Sequence, residues 1–250
     1  MKRLVWVVVF LAAGCGGSPE TATTSLTEPL PAIDPATVGT INGRVRLDGT
    51  APSAEIIRLD GDPKCASLAQ GEERRTEYVV VGTDNALQHV FVYVKDGLPP
   101  RLYPVPSKPV VLDQQKCRYV PRVVGLQVGQ PLTIRNSDPL LHNVRADAQI
   151  NQPFDLGTPI QGMEVTRTFS TREVMVPFNC NVHAWMNAYV GVLEHPYFAV
   201  TDANGRFSIP QLPAGTFTLE IWHERLGTQT QQITIAPKDS KEVAFTYKMS

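Results

Sequence analysis

The segment Phe178-Asn179-Cys180-Asn181-Val182-His183-Ala184-Trp185-Met186 places three potential metal ligands of different chemistry within seven residues. It follows directly on the apolar run 174–178, which predicts a buried β-strand. A thiolate, an imidazole and a thioether on one short loop can converge on a single ion. The spacing Cys-x-x-His-x-x-Met therefore predicts a metal-binding loop at the end of a strand.

A second histidine stands upstream, in Asn136-Ser137-Asp138-Pro139-Leu140-Leu141-His142-Asn143-Val144. Two imidazoles and one thiolate in a plane, with a distant thioether, form the ligand set of a blue-copper centre. The thiolate couples electronically to copper, and the weak axial sulfur helps to set the reduction potential. The two segments together therefore contain every ligand type that one mononuclear copper ion of this kind needs.

The two segments resemble the cupredoxins of the amicyanin and plastocyanin type over about residues 105–195. The resemblance rests on Asn136 preceding His142-Asn143-Val144, on the short spacing from Cys180 to Met186, and on Trp185 before the methionine. It implies a Greek-key β-sandwich that transfers single electrons.

The resemblance also implies a role for each matching residue. The metal ligands would be His142, Cys180 and His183, with Met186 as the axial ligand. Asn136 and Asn143 would brace the ligand loops by hydrogen bonds. His183, on the loop nearer solvent, would be the exit for the electron.

An apolar rim around His183 is expected to dock a redox partner transiently. Its members would be Leu140, Leu141, Ala184 and Trp185. The alternative is that some of these side chains belong to the buried core. A lone cysteine, histidine or methionine is also more often a core residue than a ligand. The joint pattern favours copper, although zinc could occupy the same ligands in a recombinant sample.

The remaining histidines, His89, His195 and His223, lack partners at ligand spacing and are expected to be structural. Met175 is expected in the core and Met163 in a loop. The segment Asp202-Ala203-Asn204-Gly205 fits a hairpin turn better than a calcium loop, because the calcium-loop pattern does not continue.

The N-terminus predicts export. Lys2 and Arg3 precede an apolar run, Leu4 to Ala13, that is too short to anchor stably across a bilayer. The sequence that ends at Cys15 resembles a bacterial lipobox, although its leucine lies one position further from the cysteine than usual. Cys15 is therefore the candidate for lipidation. The alternative is an ordinary secretory peptide cleaved nearby.

Export implies an oxidising compartment, in which cysteines can form stable disulfides. Of the four cysteines, Cys15 is the lipid candidate and Cys180 the metal ligand, which leaves Cys65 and Cys117. We expect these two to form a disulfide; the alternative is two separate buried thiols, since a sequence gives no distances.

Many short apolar runs, separated by the 21 prolines and 18 glycines, predict an all-β protein. No segment shows a helical stripe of ten residues or more. The expected strands are 41–47, 90–94, 123–128, 132–134, 174–178, 189–193, 207–209, 216–222, 232–235 and 243–247.

The sequence 197–222 resembles the carboxypeptidase regulatory-like family, a small transthyretin-like β-sandwich, and 41–52 and 87–94 match its opening strands. The predicted divisions are a signal peptide at 1–15, a flexible linker at 16–38, module strands at 39–100, the cupredoxin domain at 101–195 and the rest of the module at 196–250. The copper domain would then be nested within the other sandwich. Alternatively, 40–100 would belong to an enlarged cupredoxin with a short β appendage.

The net charge of −1, with no run of Lys or Arg, argues against nucleic acid as a partner. We expect a lipid-anchored periplasmic electron carrier, not an enzyme, that exchanges electrons with a c-type cytochrome or a membrane respiratory complex. The competing functions are copper storage or delivery, a structural envelope module that has lost its metal, and an enzyme with an open copper position.

Overall fold

The structure, a computed structural model, describes residues 34–249. The predicted signal peptide, Cys15 and most of the predicted linker lie outside these residues. Strands dominate the described part, and the all-β class is confirmed. The strands are β1 (Val38–Asp48), β2 (Phe91–Asp96), β3 (Val110–Gln114), β4 (Tyr119–Val120), β5 (Val123–Gln127), β6 (Leu132–Asn136), β7 (His142–Ala146), β8 (Phe154–Thr158), β9 (Glu164–Arg167), β10 (Glu173–Asn179), β11 (Asn187–Leu193), β12 (Phe198–Val200), β13 (Arg206–Pro213), β14 (Gly215–His223), β15 (Gly227–Ile235) and β16 (Ser240–Lys248).

The strands form four sheets that pack as two sandwiches, each around its own core. In the first sandwich, the sheet β13-β1-β16 faces the sheet β12-β2-β14-β15. In the second, β4-β3-β6-β9 faces β5-β11-β10-β7-β8. The chain leaves the first sandwich after β2, builds the whole second sandwich and returns at β12. The residue boundaries of the predicted domains stay predictions.

One helix, α1 (Pro63–Ala69), was not expected from the sequence. The carboxylate of Asp62 accepts hydrogen bonds from the amides of Lys64 and Cys65 at its first turn, and Pro63 occupies its first position. Seven residues are too few to show a periodic apolar stripe, so only the Asp-Pro start was visible in the sequence. A 3₁₀ turn lies at Thr83–Asn85.

The expected turn at Asn204-Gly205 is present, with Gly205 at a φ of 67°, but the expected hairpin is wrong. The strands on either side belong to different sheets, because β12 pairs with β2 and β13 pairs with β1. The turn therefore carries the chain from one layer of the first sandwich to the other.

A third apolar cluster joins the two sandwiches. It contains Phe91 and Tyr93 from β2, together with Val123, Met175 and Leu193 from the second sandwich. Met175 is thus a core residue, as expected. The shared cluster makes the two sandwiches one packed unit.

Segment 59–69 precedes β2 in the chain but packs on the core of the second sandwich. Leu59, Cys65 and Leu68 all join that core. The expected disulfide between Cys65 and Cys117 is present, with the two Cα atoms 5.7 Å apart. The bond holds α1 beside the turn between β3 and β4. Among residues 34–249, no helix has the length and apolar character to cross a bilayer.

Candidate metal centre

Two loops at one end of the second sandwich bring the predicted ligands together. His142 opens β7, and Cys180 directly follows β10. His183 lies in the loop that leads to Met186, the last residue before β11. Strand β10 pairs antiparallel with both β7 and β11, so the last residues of β10 and the first residues of β7 and β11 lie at the same end of the sheet.

The distances among the three strongest donors are short. His142 Nδ1 lies 3.1 Å from His183 Nδ1, and Cys180 Sγ lies 3.8 Å from the same His183 nitrogen. The ligand atoms of all three residues lie within 4.8 Å of one another. All three side chains are buried. Residues up to 41 positions apart in the sequence therefore face one another across a single small space.

Each imidazole is held from its outer side by a carboxylate. His142 Nε2 donates to Asp138 Oδ2 at 2.9 Å, and His183 Nε2 donates to Asp62 Oδ2 at 3.0 Å. A neutral imidazole carries one hydrogen, so these bonds leave both Nδ1 atoms with free lone pairs. The two Nδ1 atoms lie 3.1 Å apart, so a single cation can contact both. The arrangement is that of histidines prepared to bind a cation.

The Cys180 thiol is shifted toward its thiolate form. Burial raises the pKa of Cys180, but hydrogen bonds from the protonated forms of His142 and His183 and from the backbone amides of Asn143 and His183 outweigh it and lower the pKa to about 5. The thiolate in turn helps to raise the pKa values of both histidines, against the effect of their burial. At neutral pH the site holds an anionic sulfur ligand.

Asn136 braces the loop before His142. Its side-chain amide donates to the carbonyls of Leu140 and Thr158 at 2.8 and 2.6 Å, and its carbonyl accepts from the amide of Asp138 at 2.9 Å. Since Asn136 is fully buried, these bonds have no competition from water. They fix the loop that carries both His142 and its carboxylate partner.

Asn143 and Tyr119 tie the two ligand loops together. The side-chain carbonyl of Asn143 accepts from the amide of Asn181 at 3.2 Å. The Tyr119 hydroxyl lies 2.7 Å from the carbonyl of Asn143 and 3.1 Å from that of Asn179, each of which it can donate to. The β7 and β10 ends are therefore linked on both sides of Cys180.

Met186 is buried in the same core as Cys180. The Cys180 amide donates to the Met186 carbonyl at 3.1 Å, and the Met186 amide donates to the His183 carbonyl at 2.9 Å. These bonds fold the Cys-x-x-His-x-x-Met loop back on itself. Trp185, half-buried, donates from its indole to the carbonyl of Cys117 at 3.1 Å.

Only 1% of the surface of His183 is exposed, because Asp62 and α1 cover its outer edge. Its expected role as the exit for the electron stays a prediction. The expected apolar rim is partly wrong. Leu140 is 6% exposed and belongs to the core, whereas Leu141 is 48% exposed and Ala184 is also exposed. Sequence spacing could not show that a segment from before β2 would fold over this face.

The other candidate residues lie away from the centre. His195 and His223 are buried, and burial lowers the pKa of each to about 4, as expected for neutral structural histidines. Burial also lowers the pKa of His89. Met163 lies in the loop before β9, as expected.

Two further groups of possible ligands surround the same histidines: Cys65 and Cys117 near His183, and Cys117 and Asp138 near His142. In both groups the cysteine sulfur is in the disulfide, which leaves no thiolate to bind a metal. These groups instead show that the disulfide lies close to both imidazoles.

Asp62 and Asp138 were not predicted as site residues. Asp138 stands four residues before His142, so a local contact could have been foreseen. Asp62 stands 121 residues before His183, and its only local signal is the helix start Asp62-Pro63. Its place in the site depends entirely on the tertiary structure.

The donor set fits a small, soft metal ion. With bond lengths of about 2.0 Å to nitrogen and 2.3 Å to sulfur, as zinc makes, two nitrogens on one ion can be at most about 4 Å apart and nitrogen and sulfur about 4.3 Å. The observed 3.1 and 3.8 Å satisfy both limits. Thiolate and thioether ligands favour copper, and imidazole suits both copper and zinc.

Comparisons with solved structures gave low similarity. The Cu-containing nitrite reductase (NirK) from Thermus scotoductus SA-01 has 21% identity and a TM-score of 0.33, covering 36% of this chain and 23% of that chain. The chain thus spans about a quarter of that protein. A mutant of amicyanin in its Cu(I) form has 21% identity and a TM-score of 0.31, covering 40% of this chain and 97% of that chain. A second amicyanin mutant, in its reduced Cu(I) form at pH 4, has 22% identity with the same coverage and TM-score.

No curated protein sequence matched the chain. The model of one protein family did match, over about a quarter of the length. Its match begins in the ligand loop, includes β11 of the second sandwich and runs through β16, so it covers the part of the chain that returns to the first sandwich. Residues 184–248 match the model of the carboxypeptidase regulatory-like domain.

Proposed function

We propose that the protein is a one-electron carrier with a single copper ion held by His142, Cys180, His183 and Met186. The observation that carries the proposal is the convergence of two free Nδ1 atoms and one sulfur in a buried space. When bound, copper supplies a one-electron couple between Cu(I) and Cu(II). The chain supplies the thiolate, fixes both imidazoles and excludes water.

The burial of the ligands supports a carrier over a copper store or delivery protein. His142, Cys180, His183 and Met186 are each no more than 4% exposed, so a second protein has no direct access to the ligand atoms. Metal transfer between proteins proceeds by ligand exchange, which needs such access. A four-ligand site also leaves no open position for a substrate, which argues against an enzyme.

The hydrogen bonds around the site support fast electron transfer. Asn136 fixes the loop of His142, and Tyr119 links the strand ends that carry the ligands. A site held on both sides rearranges little when its charge changes by one. Small rearrangement lowers the barrier for electron transfer.

We propose that a redox partner docks on the exposed apolar side chains of the two ligand loops. Leu141 is 48% exposed and Val182 is 44% exposed, and Ala184, two residues after Val182, is also exposed. A small apolar patch suits a transient complex. A c-type cytochrome or a membrane respiratory complex is the proposed partner. Anchoring through a lipidated Cys15 on the periplasmic side of the bacterial cell envelope would keep the carrier near it.

The test is a visible absorption spectrum of the copper-loaded protein. We expect an intense thiolate-to-copper band that bleaches on reduction and returns on oxidation. The Cys180→Ser variant should lose the band, because the donor of the transition is removed. A zinc-loaded sample is the colourless control. A fully folded protein that binds copper without the band would overturn the proposal.

The Met186→Leu variant separates the axial ligand from the others. We expect it to keep the band, because the thiolate and both imidazoles remain, and to raise the reduction potential, because the oxidised ion loses one electron donor. Protein-film voltammetry measures the potential. An irreversible couple in the wild-type protein would favour a copper store over a carrier.

A further inference from the structure

The N-terminal segment that carries α1 reaches the metal centre through Asp62. One carboxylate oxygen of Asp62, Oδ1, accepts from the amides of Lys64 and Cys65 at 2.9 and 3.0 Å. The other, Oδ2, accepts from His183 Nε2 at 3.0 Å. Asp62 therefore does two things: one oxygen starts the helix, and the other holds a predicted ligand.

The disulfide connects this contact to the opposite side of the site. The amides of Lys116 and Cys117 donate to Asp138 at 2.7 and 2.8 Å. Asp138 in turn accepts from His142 Nε2. Across the bond, Cys65 lies three residues after Asp62, and its sulfur is 3.5 Å from His183 Nε2. The disulfide thus links the segment that carries Asp62 to the turn whose amides donate to Asp138.

We propose that Asp62 is a positioning residue for His183, and that the Cys65–Cys117 disulfide keeps it in place. The segment 59–69 would then complete a metal centre whose ligands all come from the second sandwich. Holding the hydrogen of His183 on Nε2 leaves Nδ1 free to bind the metal. The proposal deepens the proposed function, but it does not require that the metal be copper.

In this arrangement the disulfide holds α1 against the second sandwich. A helix of seven residues does not form by itself in water, so α1 depends on its contacts with the second sandwich. The bond closes a loop of 52 residues and ties α1 to the turn at Cys117. Both sulfurs are buried, which protects the bond from solvent reductants.

Asp62→Asn is the decisive substitution because it keeps the shape of the side chain and its role as the helix cap. Asparagine caps helices as well as aspartate does, so its carbonyl oxygen can still accept from the two amides. Its NH₂ group would then face His183 Nε2 and donate to it. We expect the hydrogen of His183 to move to Nδ1, which removes the lone pair that binds metal.

The measurement is the nitrogen NMR spectrum of the metal-free protein at a pH above the raised pKa values of His142 and His183, where both rings are neutral. In the wild type, His142 and His183 should both carry hydrogen on Nε2. In Asp62→Asn, His183 alone should change, and His142 serves as the internal control. Asp62→Ser, which keeps a capping oxygen but cannot reach His183, should give a mixture of the two forms.

Metal affinity gives the second measurement. We expect Asp62→Asn to bind Zn(II) and Cu(I) about 10–100-fold more weakly than the wild type in competition titrations. Asp60→Asn removes the same charge from an exposed neighbour and should bind as the wild type does. If His183 keeps its hydrogen on Nε2 in Asp62→Asn, or affinity is unchanged, the proposal is overturned.

The disulfide is tested by replacing Cys65 and Cys117 with serine together. We expect His183 to show the same mixture as in Asp62→Ser, with His142 less affected because Asp138 is on its own loop. A His183 that still carries hydrogen only on Nε2 would overturn the role of the disulfide. Because the NMR sample contains no metal, this outcome is independent of whether the protein carries electrons.

Discussion

At the residue scale, the pKa of the Cys180 thiol reports the hydrogen bonds that it receives within the site. In metal-free protein carrying Cys15→Ser, with Cys65 and Cys117 oxidised, Cys180 supplies the thiolate signal. We expect ultraviolet thiolate absorbance to rise with a midpoint at about pH 5. Hydrogen bonds to the charged form favour it, so removing a donor with His142→Phe should move the midpoint upward.

The control for this titration is Cys180→Ser, which should show no thiolate absorbance over the same range. A wild-type midpoint near the ordinary cysteine value, about 8.5, would contradict the hydrogen bonds from the two imidazoles. The comparison with His142→Phe then separates the effect of that donor from the effect of burial, which acts in the opposite direction.

At the element scale, two paired glycines allow the sandwiches to meet. Gly125 of β5 lies opposite Gly191 of β11, and the rings of Phe198 and Phe91 lie over their backbones. A Cβ at Gly191 would lie 2.5 Å from the Phe91 ring and 2.6 Å from the Met175 methyl group. Both positions need glycine because the aromatic rings occupy the space of a side chain.

We expect Gly191→Ala to lower the free energy of unfolding by about 1–3 kcal/mol through overpacking. Chemical denaturation measures the loss. Gly157→Ala is the matched control, since Gly157 also lies in a strand of this sheet but has nothing within 4 Å of the position that an added methyl group would take. It should change stability by less than about 0.5 kcal/mol. Equal effects of the two substitutions would argue against close packing at the junction.

At the scale of the whole molecule, a buried ion pair crosses between the sandwiches. Arg122, just before β5, lies 2.6 Å from Glu224, just after β14, and both side chains are almost fully buried. Removing one partner leaves the other charge buried without compensation. We expect Arg122→Met to cost about 3–5 kcal/mol of unfolding free energy.

The double variant Arg122→Met with Glu224→Leu should lose less than the two single variants added together, because neither charge is then left unpaired. Arg135→Met is the control, since its pair with Glu164 is exposed and should be worth about 1 kcal/mol or less. Strict additivity of the single effects would show that the two charges do not stabilise each other.

Local patterns in the sequence determined most of the strands and the chemistry of the four predicted ligands. Alternation of apolar residues is a local property, and Cys180, His183 and Met186 are close in the chain. Asn136 and His142 also share one loop, so the contact of Asn136 with that loop follows from short-range geometry. The disulfide was predicted from the compartment and the number of cysteines.

The tertiary structure alone decided what covers the ligands. Asp62 and His183 are 121 positions apart, and no periodicity or spacing relates residues at that distance. The burial of His183 depends on where α1 packs, and α1 is too short to have a strong sequence pattern. Burial and charge pairing between distant segments are set by packing, so the sequence determined the ligand chemistry and the fold determined the environment that tunes it.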